Sequence, residues 1–215
     1  MYQTILFDLD GTLIDSSLGI TNSVAYALEK MGLPVPEREE LLPFIGPPLQ
    51  ESFQRYFHLS EEQSQQAVTF YREYFAEKGI IENTLYPEVC DTLKYLKQSG
   101  KQLLLATSKP EQFARIILNH FQLTDYFTEI AGASLDGKLS TKGDVIALAL
   151  ERIGITDTSS CLMVGDRKHD ILGAKTHQMA SAGVLYGFGS RKELSQAGAT
   201  FIIDTLADLR TIEKD

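Results

Sequence analysis

The 215-residue sequence has few cysteines, no run of basic residues and no long apolar stretch. Its two cysteines, Cys90 and Cys161, lie far apart without metal-ligand or redox spacing, so we expect two buried thiols in a reducing compartment. The net charge of −9 argues against a nucleic acid or an anionic membrane surface as the main partner. Asp8 interrupts the N-terminal apolar run, and the longest apolar runs elsewhere have only the length of a strand, as in LLLA at 103–106. We therefore expect a cytoplasmic protein without a signal peptide or a membrane span.

From about residue 84 onward, short apolar runs alternate with amphipathic stretches. The apolar runs are LLLAT, FTEIAGA, CLMVGD, SAGVLY and TFII, and TILFD at 4–8 adds another near the N-terminus. This alternation predicts repeated βα units and hence a parallel sheet covered by helices on both faces. The fold class that we expect is α/β, with a Rossmann-like three-layer core.

Residues 16–83 differ from the rest of the chain because they contain no strand-like run. Apolar residues recur there at helical spacing, as at Val68, Tyr71 and Phe75, in a background rich in glutamate and glutamine. The segment 36–50, PEREELLPFIGPPLQ, holds four prolines and a glycine, which indicates breaks between helices. We therefore predict a core domain formed by residues 1–15 and 84–215, and a helical cap domain formed by residues 16–83 and inserted after the first strand.

Acidic and hydroxyl side chains follow the predicted strands. DLDGT (8–12) follows the first strand, TSKP (107–110) follows LLLA, and GDRKHD (165–170) follows CLMV. Ligands of open parallel sheets bind beyond the carboxyl ends of the strands, so we expect these segments to face one site. Asp8 and Asp10 lie two residues apart and should project to the same side of an extended chain.

Four carboxylates in these segments are the candidate metal ligands, namely Asp8, Asp10, Asp166 and Asp170. Close carboxylates repel each other unless a cation joins them or one is protonated, and Mg²⁺ prefers oxygen ligands. Taken alone, either pair is also compatible with solvated or helix-capping acids in a turn. Because two acidic clusters follow two strands of one predicted sheet, we favour a shared Mg²⁺.

Four segments in order along the chain resemble the motifs of the haloacid dehalogenase-like superfamily, in particular its phosphatases of the phosphoglycolate phosphatase type. These segments are DLDGT, ATSKP, STKGD and GDRKHD. The resemblance implies that Asp8 is the nucleophile and that Asp10 is the general acid and base. It also implies that Thr107 binds the phosphate and that Lys142 is the counter-charge to nucleophile and phosphate.

The same resemblance implies how a metal is held. It assigns Mg²⁺ to Asp8, the main-chain carbonyl of Asp10 and Asp166, with Asp170 nearby or bound through water. It also makes the helical insert a cap that closes over the pocket, excludes water and sets specificity.

The lysine assignment leaves an alternative open. Members of the family more often have Lys-Pro before this helix, and here Lys138 and Lys142 compete for the role. We prefer Lys142 because it directly precedes DVIALALERIG. The remaining candidate substrate-binding residues are Gly11, Thr12, Ser108 and Lys109. Gly11 permits a sharp turn, and Thr12 offers a hydroxyl. For Lys109, a solvated position in a loop is an equal alternative.

Two glycine-containing segments resemble nucleotide-binding motifs only in part. GASLDGKL (132–139) nearly matches a P-loop, but Leu139 stands where a magnesium-binding serine or threonine is required. YGFGS (186–190) is incomplete as a dinucleotide fingerprint, and we interpret it as a glycine-rich loop beside the pocket.

We therefore predict Mg²⁺-dependent hydrolysis of a small phosphorylated metabolite through an aspartyl-phosphate on Asp8, most like phosphoglycolate phosphatase, in a monomer or homodimer. A 5′-nucleotidase or pyrophosphatase is the nearest alternative, and a phosphosugar mutase would require a cap that keeps water from the intermediate. Dehalogenation is disfavoured because it has no leaving oxygen for Asp10 to protonate. A non-catalytic phosphate-binding module is the alternative from a different class.

Overall fold

The computed structural model of the chain describes residues 2–135 and 138–212. The chain forms two compact units, one from Met1–Ile14 and Leu85–Asp215 and the other from Asp15–Thr84. Asp136 and Gly137, which belong to the near match to a P-loop, lie outside the described residues.

Strands and helices alternate through most of the described chain. The strands are β1 (Thr4–Phe7), β2 (Ile14–Asp15), β3 (Thr84–Leu85), β4 (Gln102–Pro110), β5 (Glu129–Ala133), β6 (Cys161–Gly165), β7 (Ala180–Val184) and β8 (Phe201–Ile203). The α-helices are α1 (Ser17–Lys30), α2 (Arg38–Leu41), α3 (Leu49–Phe57), α4 (Glu61–Tyr74), α5 (Val89–Gln98), α6 (Glu111–His120), α7 (Lys142–Arg152), α8 (Lys168–Thr176) and α9 (Arg191–Ala197). Turns of 3₁₀-helix cover Leu42–Phe44, Thr124–Tyr126 and Leu206–Arg210, and Phe75–Gly79 form a π-helical turn. None of the described helices has the length and apolar character needed to cross a membrane.

The first unit is built on a parallel sheet. Among the described residues this sheet has six strands in the order β5-β4-β1-β6-β7-β8. All of its neighbouring strands pair in parallel, and β1 lies between β4 and β6. The predicted α/β fold with a parallel sheet is therefore confirmed.

Both faces of this sheet are covered, because successive residues of its central strands are buried. Leu103, Leu104 and Leu105 follow one another in β4, and each is at most 1% exposed although alternate side chains point to opposite faces. On one face, Leu104 belongs to an apolar cluster with side chains of α7 and α8. On the other, the Phe7 ring packs edge to face against that of Phe127, with 6.3 Å between centroids. The core therefore has the three layers expected.

The second unit is helical and contains α1 to α4. Helix α4 begins with a capping box, because Ser60 Oγ accepts the N–H of Gln63 at 3.2 Å while Gln63 Oε1 accepts the N–H of Ser60 at 3.0 Å. Ser64, Ala67 and Tyr71 are buried at helical spacing along one side of α4. The spacing of apolar residues in the sequence thus indicates which side of this helix is buried.

The strands β2 and β3 pair in a separate sheet where the chain passes from one unit to the other and back. The division between units falls between residues 14 and 15 and between residues 84 and 85, next to the predicted limits of the insert at residues 16 and 83. That the second unit acts as a cap stays a prediction, as does the cytoplasmic location.

The prediction of two buried thiols is wrong for one cysteine. Cys161 in β6 is buried, whereas Cys90 in α5 is exposed. The buried side of α5 includes Val89, Leu93 and Leu96, which recur at helical spacing. Cys90 lies off this stripe and therefore faces solvent.

Candidate active site

The candidate residues follow three strands that are neighbours in the sheet. Asp8 comes directly after β1, Thr107 lies near the end of β4, and Asp166 comes directly after β6. Because these strands are parallel, their carboxyl ends lie at one edge of the sheet. The fold therefore brings together side chains that are far apart in the sequence.

Lys142 lies beside Asp8. Its Nζ is 2.7 Å from Asp8 Oδ1 and 2.9 Å from Asp170 Oδ1. The same ammonium donates a hydrogen bond of 2.9 Å to the main-chain oxygen of Ala106. Lys142 is the first residue of α7 and is only 5% exposed. One buried cation thus neutralises part of the charge of two buried carboxylates.

Burial and ion pairing act in opposite directions on these groups. Burial raises the pKa of Asp8 to about 6, the charge of Lys142 opposes that rise, and the neighbouring Asp170 and Asp10 add to it. Burial alone would lower the pKa of Lys142, but the carboxylates of Asp170 and Asp8 outweigh it and raise that pKa. Lys142 is therefore a cation at neutral pH, and Asp8 is mostly a carboxylate.

Of the two lysines left open by the sequence, Lys142 contacts Asp8. Lys138 is an exposed residue before α7. The position of Lys142 agrees with the preference given to it, while its catalytic role remains a prediction.

Asp10 has a different cationic partner. Lys109 Nζ lies 2.9 Å from both carboxylate oxygens of Asp10. The main-chain N–H of Lys109 also donates to Thr107 Oγ1 at 3.2 Å. Thr107 and Lys109 are buried, and Ser108 between them is partly exposed. The segment TSKP thus places a hydroxyl and an ammonium close to the turn that follows β1.

Three carboxylates form a compact buried cluster. One oxygen of each of Asp8, Asp166 and Asp170 lies within 4.8 Å of the others. The Asp10 carboxylate is held by Lys109 instead, and coordination by its main-chain carbonyl stays a prediction. Helix α8 begins at Lys168, so Asp166 lies in the segment before this helix and Asp170 lies in its first turn.

Asp166 carries the least compensated charge of the cluster. It is fully buried, and its Oδ2 accepts a hydrogen bond of 2.7 Å from the main-chain N–H of Phe188. Its Oδ1 has no hydrogen-bond partner among the described residues. Burial, followed by the charges of Asp170 and Asp8, holds the pKa of Asp166 well above its ordinary value.

These observations fit a divalent metal ion. An unpartnered buried carboxylate oxygen is costly unless a cation or proton satisfies it, and Mg²⁺ takes oxygen ligands of this kind. The single ammonium of Lys142 cannot balance three buried carboxylates. The donor set of Asp8, Asp166 and Asp170 is therefore chemically suited to Mg²⁺.

The turn after β1 approaches this cluster closely. Gly11 has a φ of +80°, and a Cβ at this position would lie 2.7 Å from Asp166 Oδ1. Glycine is required here both for the backbone conformation and for the space. Thr12 is fully buried, and its hydroxyl has no partner among the described residues. The predicted substrate contacts of Gly11 and Thr12 stay predictions.

Sequence reasoning did not find two contacts of the glycine-rich segment 186–190. One is the Phe188 N–H bond to Asp166, and the other is a hydrogen bond of 2.8 Å from the Tyr186 hydroxyl to the main-chain oxygen of Thr12. The paired glycines were the available signal, because close approach of backbone to backbone often requires them.

The sequence matches a known protein family over most of its length. The model of the family described as haloacid dehalogenase-like hydrolase matches residues 5–184. A crystal structure described as that of a predicted phosphatase from Clostridium acetobutylicum superimposes with a TM-score of 0.93 at 46% identity, covering 98% of this chain and 97% of that one.

Three relatives are similar over nearly the whole chain. A 5′-nucleotidase of Pseudomonas aeruginosa is 42% identical over 98% of this chain and 95% of its own length. Tyrosine-protein kinase PtkA of Mycobacterium tuberculosis is 38% identical over 97% of this chain and 71% of its own length. Phosphoglycolate phosphatase 1 of Pseudomonas aeruginosa is 30% identical over 96% of this chain and 78% of its own length.

Proposed function

The chain belongs to the haloacid dehalogenase-like hydrolases and is a phosphatase of that family, and we propose that it hydrolyses a small phosphomonoester with the help of Mg²⁺ through an aspartyl-phosphate on Asp8. The observation that carries the proposal is the contact of 2.7 Å between Asp8 Oδ1 and Lys142 Nζ, in a cluster with Asp166, one of whose oxygens has no hydrogen-bond partner among the residues that the structure describes. A carboxylate can attack a phosphate dianion only where positive charge offsets their repulsion. Lys142 supplies one such charge.

The residues proposed to hold Mg²⁺ are Asp8, the main-chain carbonyl of Asp10 and Asp166, with Asp170 close by. When bound, Mg²⁺ would supply positive charge next to the nucleophile and to the phosphate oxygens. The need of the buried Asp166 oxygen for a partner supports this assignment.

In the proposed reaction, Asp8 attacks phosphorus while Lys142 offsets charge on the nucleophile and the phosphate. Thr107 and Ser108 bind the equatorial oxygens. Asp10, as a protonated acid, gives its proton to the leaving oxygen. As a carboxylate it then removes a proton from the water that cleaves the aspartyl-phosphate.

The pairing of Asp10 with Lys109 bears on this proton transfer. Both oxygens of Asp10 accept hydrogen bonds of 2.9 Å from the ammonium of Lys109. A phosphate dianion that contacts Lys109 would draw the ammonium away from Asp10. We therefore propose that Lys109 binds substrate and that this contact releases the Asp10 carboxyl to face the leaving oxygen.

For the substrate we propose a nucleoside 5′-monophosphate first and phosphoglycolate second. The relative named 5′-nucleotidase is 42% identical to this chain, whereas the phosphoglycolate phosphatase is 30% identical. This order reverses the one expected from the motifs alone. In keeping with the net charge of −9, the proposed partner is a small phosphorylated metabolite rather than a nucleic acid or a membrane, and the proposed assembly is a monomer or homodimer.

A phosphate-release assay over nucleoside 5′-monophosphates, phosphoglycolate and sugar phosphates tests the proposal. We expect turnover of one of the first two classes with Mg²⁺, loss of turnover with chelator, and no turnover by a folded Asp8→Asn variant. Full activity of Asp8→Asn would remove Asp8 as nucleophile. A rate unchanged by chelator would remove Mg²⁺ from the reaction, and turnover of sugar phosphates alone would overturn the substrate assignment.

A further inference from the structure

We propose that residues 186–189 form a positioning loop that fixes Asp166 against the turn after β1 and thereby sets the affinity of the site for its divalent metal. The inference rests on the Mg²⁺ site of the proposed function. It assigns a role to a segment that contributes no metal ligand of its own. Its evidence is a set of contacts that join this loop to Asp166 and to the turn of DLDGT.

Successive residues of the loop make these contacts. The Tyr186 hydroxyl donates to the main-chain oxygen of Thr12 at 2.8 Å. The Phe188 N–H donates to Asp166 Oδ2 at 2.7 Å. Gly187 packs between the main-chain oxygen of Gly11 and the side chain of Asp166. The loop therefore touches both Asp166 and the turn after β1, which lie more than 150 residues apart in the sequence.

The two glycines of the loop serve close approach rather than an unusual backbone conformation. Neither Gly187 nor Gly189 has a positive φ, so an alanine could adopt the backbone angles of either. A Cβ at Gly187 would overlap Gly11 O and the Cβ of Asp166, and one at Gly189 would overlap the main-chain oxygen of Asp166. Backbone and buried acid cannot both stay in place after such a substitution.

The hydrogen bond from Phe188 also decides which oxygen of Asp166 remains for a metal. It engages Oδ2 and leaves the buried Oδ1 without a partner among the described residues. An outer contact of this kind orients a metal-ligating carboxylate, and loss of such a contact typically costs about 10- to 100-fold in metal affinity. Gly187→Ala and Gly189→Ala should displace the acid and reduce affinity by that factor.

The test is a titration of metal-free protein with Mn²⁺, in which electron paramagnetic resonance counts the free ion, so that no substrate or turnover is involved. Gly187→Ala and Gly189→Ala should bind Mn²⁺ about 10- to 100-fold more weakly than the wild type. Tyr186→Phe, which keeps the ring and loses the bond to Thr12, should weaken binding about fivefold, the effect of one hydrogen bond.

Gly79→Ala is the matched control. A Cβ at Gly79, in the π-helical turn of the helical unit, would lie 2.7 Å from Ser23 Oγ and 2.9 Å from the main-chain oxygen of Gly19, so this variant should lose stability without losing Mn²⁺ affinity. Thermal unfolding in chelator measures the stability of every variant and identifies any variant that fails to fold. If a glycine variant fails to fold, the Mn²⁺ affinity of Tyr186→Phe is compared with that of the wild type instead.

Equal Mn²⁺ affinity of the wild type and the loop variants would overturn the positioning role while leaving the proposed function intact. The positioning role would also be overturned if Gly79→Ala weakened Mn²⁺ binding as much as the loop variants. A wild type that binds no Mn²⁺ would instead refute the metal site of the proposed function, and this inference with it.

Discussion

Replacement of Asp166 by asparagine should have opposite effects on stability without and with metal. The wild-type side chain is fully buried in a cluster with Asp8 and Asp170. Its Oδ2 is bonded to Phe188 N–H, and its Oδ1 has no hydrogen-bond partner in the described part of the chain. In Asp166→Asn the amide oxygen can keep the bond to Phe188, while the NH₂ group donates toward the neighbouring carboxylates. Satisfying one buried group of this kind is worth about 1–3 kcal/mol.

Without metal, Asp166→Asn should therefore unfold at a higher temperature than the wild type, by about 2–4 °C for each kcal/mol in a chain of this size. With Mg²⁺ at about a thousand times its dissociation constant, the wild type should gain about 4 kcal/mol and the variant almost nothing. The order of the two melting temperatures should then reverse, because the gain of the wild type exceeds the advantage of the variant.

Thermal unfolding in chelator and over a Mg²⁺ series measures both effects. Asp204→Asn is the control, because this exposed acid pairs only at the surface with Arg191, and its change should stay within about 0.5 kcal/mol under both conditions. A wild type that is the more stable protein in chelator would refute the argument that Asp166 is uncompensated. A variant that Mg²⁺ stabilises as much as it does the wild type would refute coordination by Asp166.

Three further predictions concern the buried lysine, the pH dependence and the helical unit. Lys142→Met should lower the free energy of unfolding by about 3–5 kcal/mol because it leaves buried carboxylates unpaired, whereas Lys138→Met should change it by less than about 0.5 kcal/mol; urea denaturation at pH 7 measures both. The pKa of Asp8 is about 6 when folded against an ordinary value of 3.8, so the metal-free folded state binds a proton more tightly than the unfolded state. Its stability should therefore fall as pH rises from about 4 to 6, with a smaller slope in Asp8→Asn, and a stability that rises over this window would contradict the shift. Ser60→Ala should lower the free energy of unfolding by about 1 kcal/mol because it removes the capping box of α4, and it should leave the Mn²⁺ affinity unchanged. An unchanged melting temperature would show that this cap contributes nothing to stability.

Local patterns were sufficient to predict the core of the fold. The runs LLLA and CLMV became β4 and β6 because parallel strands covered on both faces must be apolar throughout. Once the sheet is parallel, acids that follow its strands share one edge, which explains why Asp8 and Asp166 could be placed together from the sequence.

Contacts that depend on tertiary packing could not be predicted in this way. Nothing local to Asp10 indicates that Lys109, 99 residues away, holds both of its oxygens. The bond from Phe188 to Asp166 comes from a main-chain N–H, which any residue except proline would supply. The exposure of Cys90, by contrast, could have been predicted, because the spacing of the apolar residues in α5 places Cys90 off the buried side of the helix.

Trapping the covalent intermediate would identify the nucleophile without reliance on a variant. Enzyme quenched during turnover of its best substrate and treated with tritiated borohydride should carry tritium in homoserine, since borohydride reduces an acyl phosphate but not a free carboxylate. We predict that sequencing finds this label at position 8 and that Lys142→Met and Asp166→Asn trap less of it. Label at Asp10, or no label under conditions of measured turnover, would contradict the assignment of Asp8 as the nucleophile.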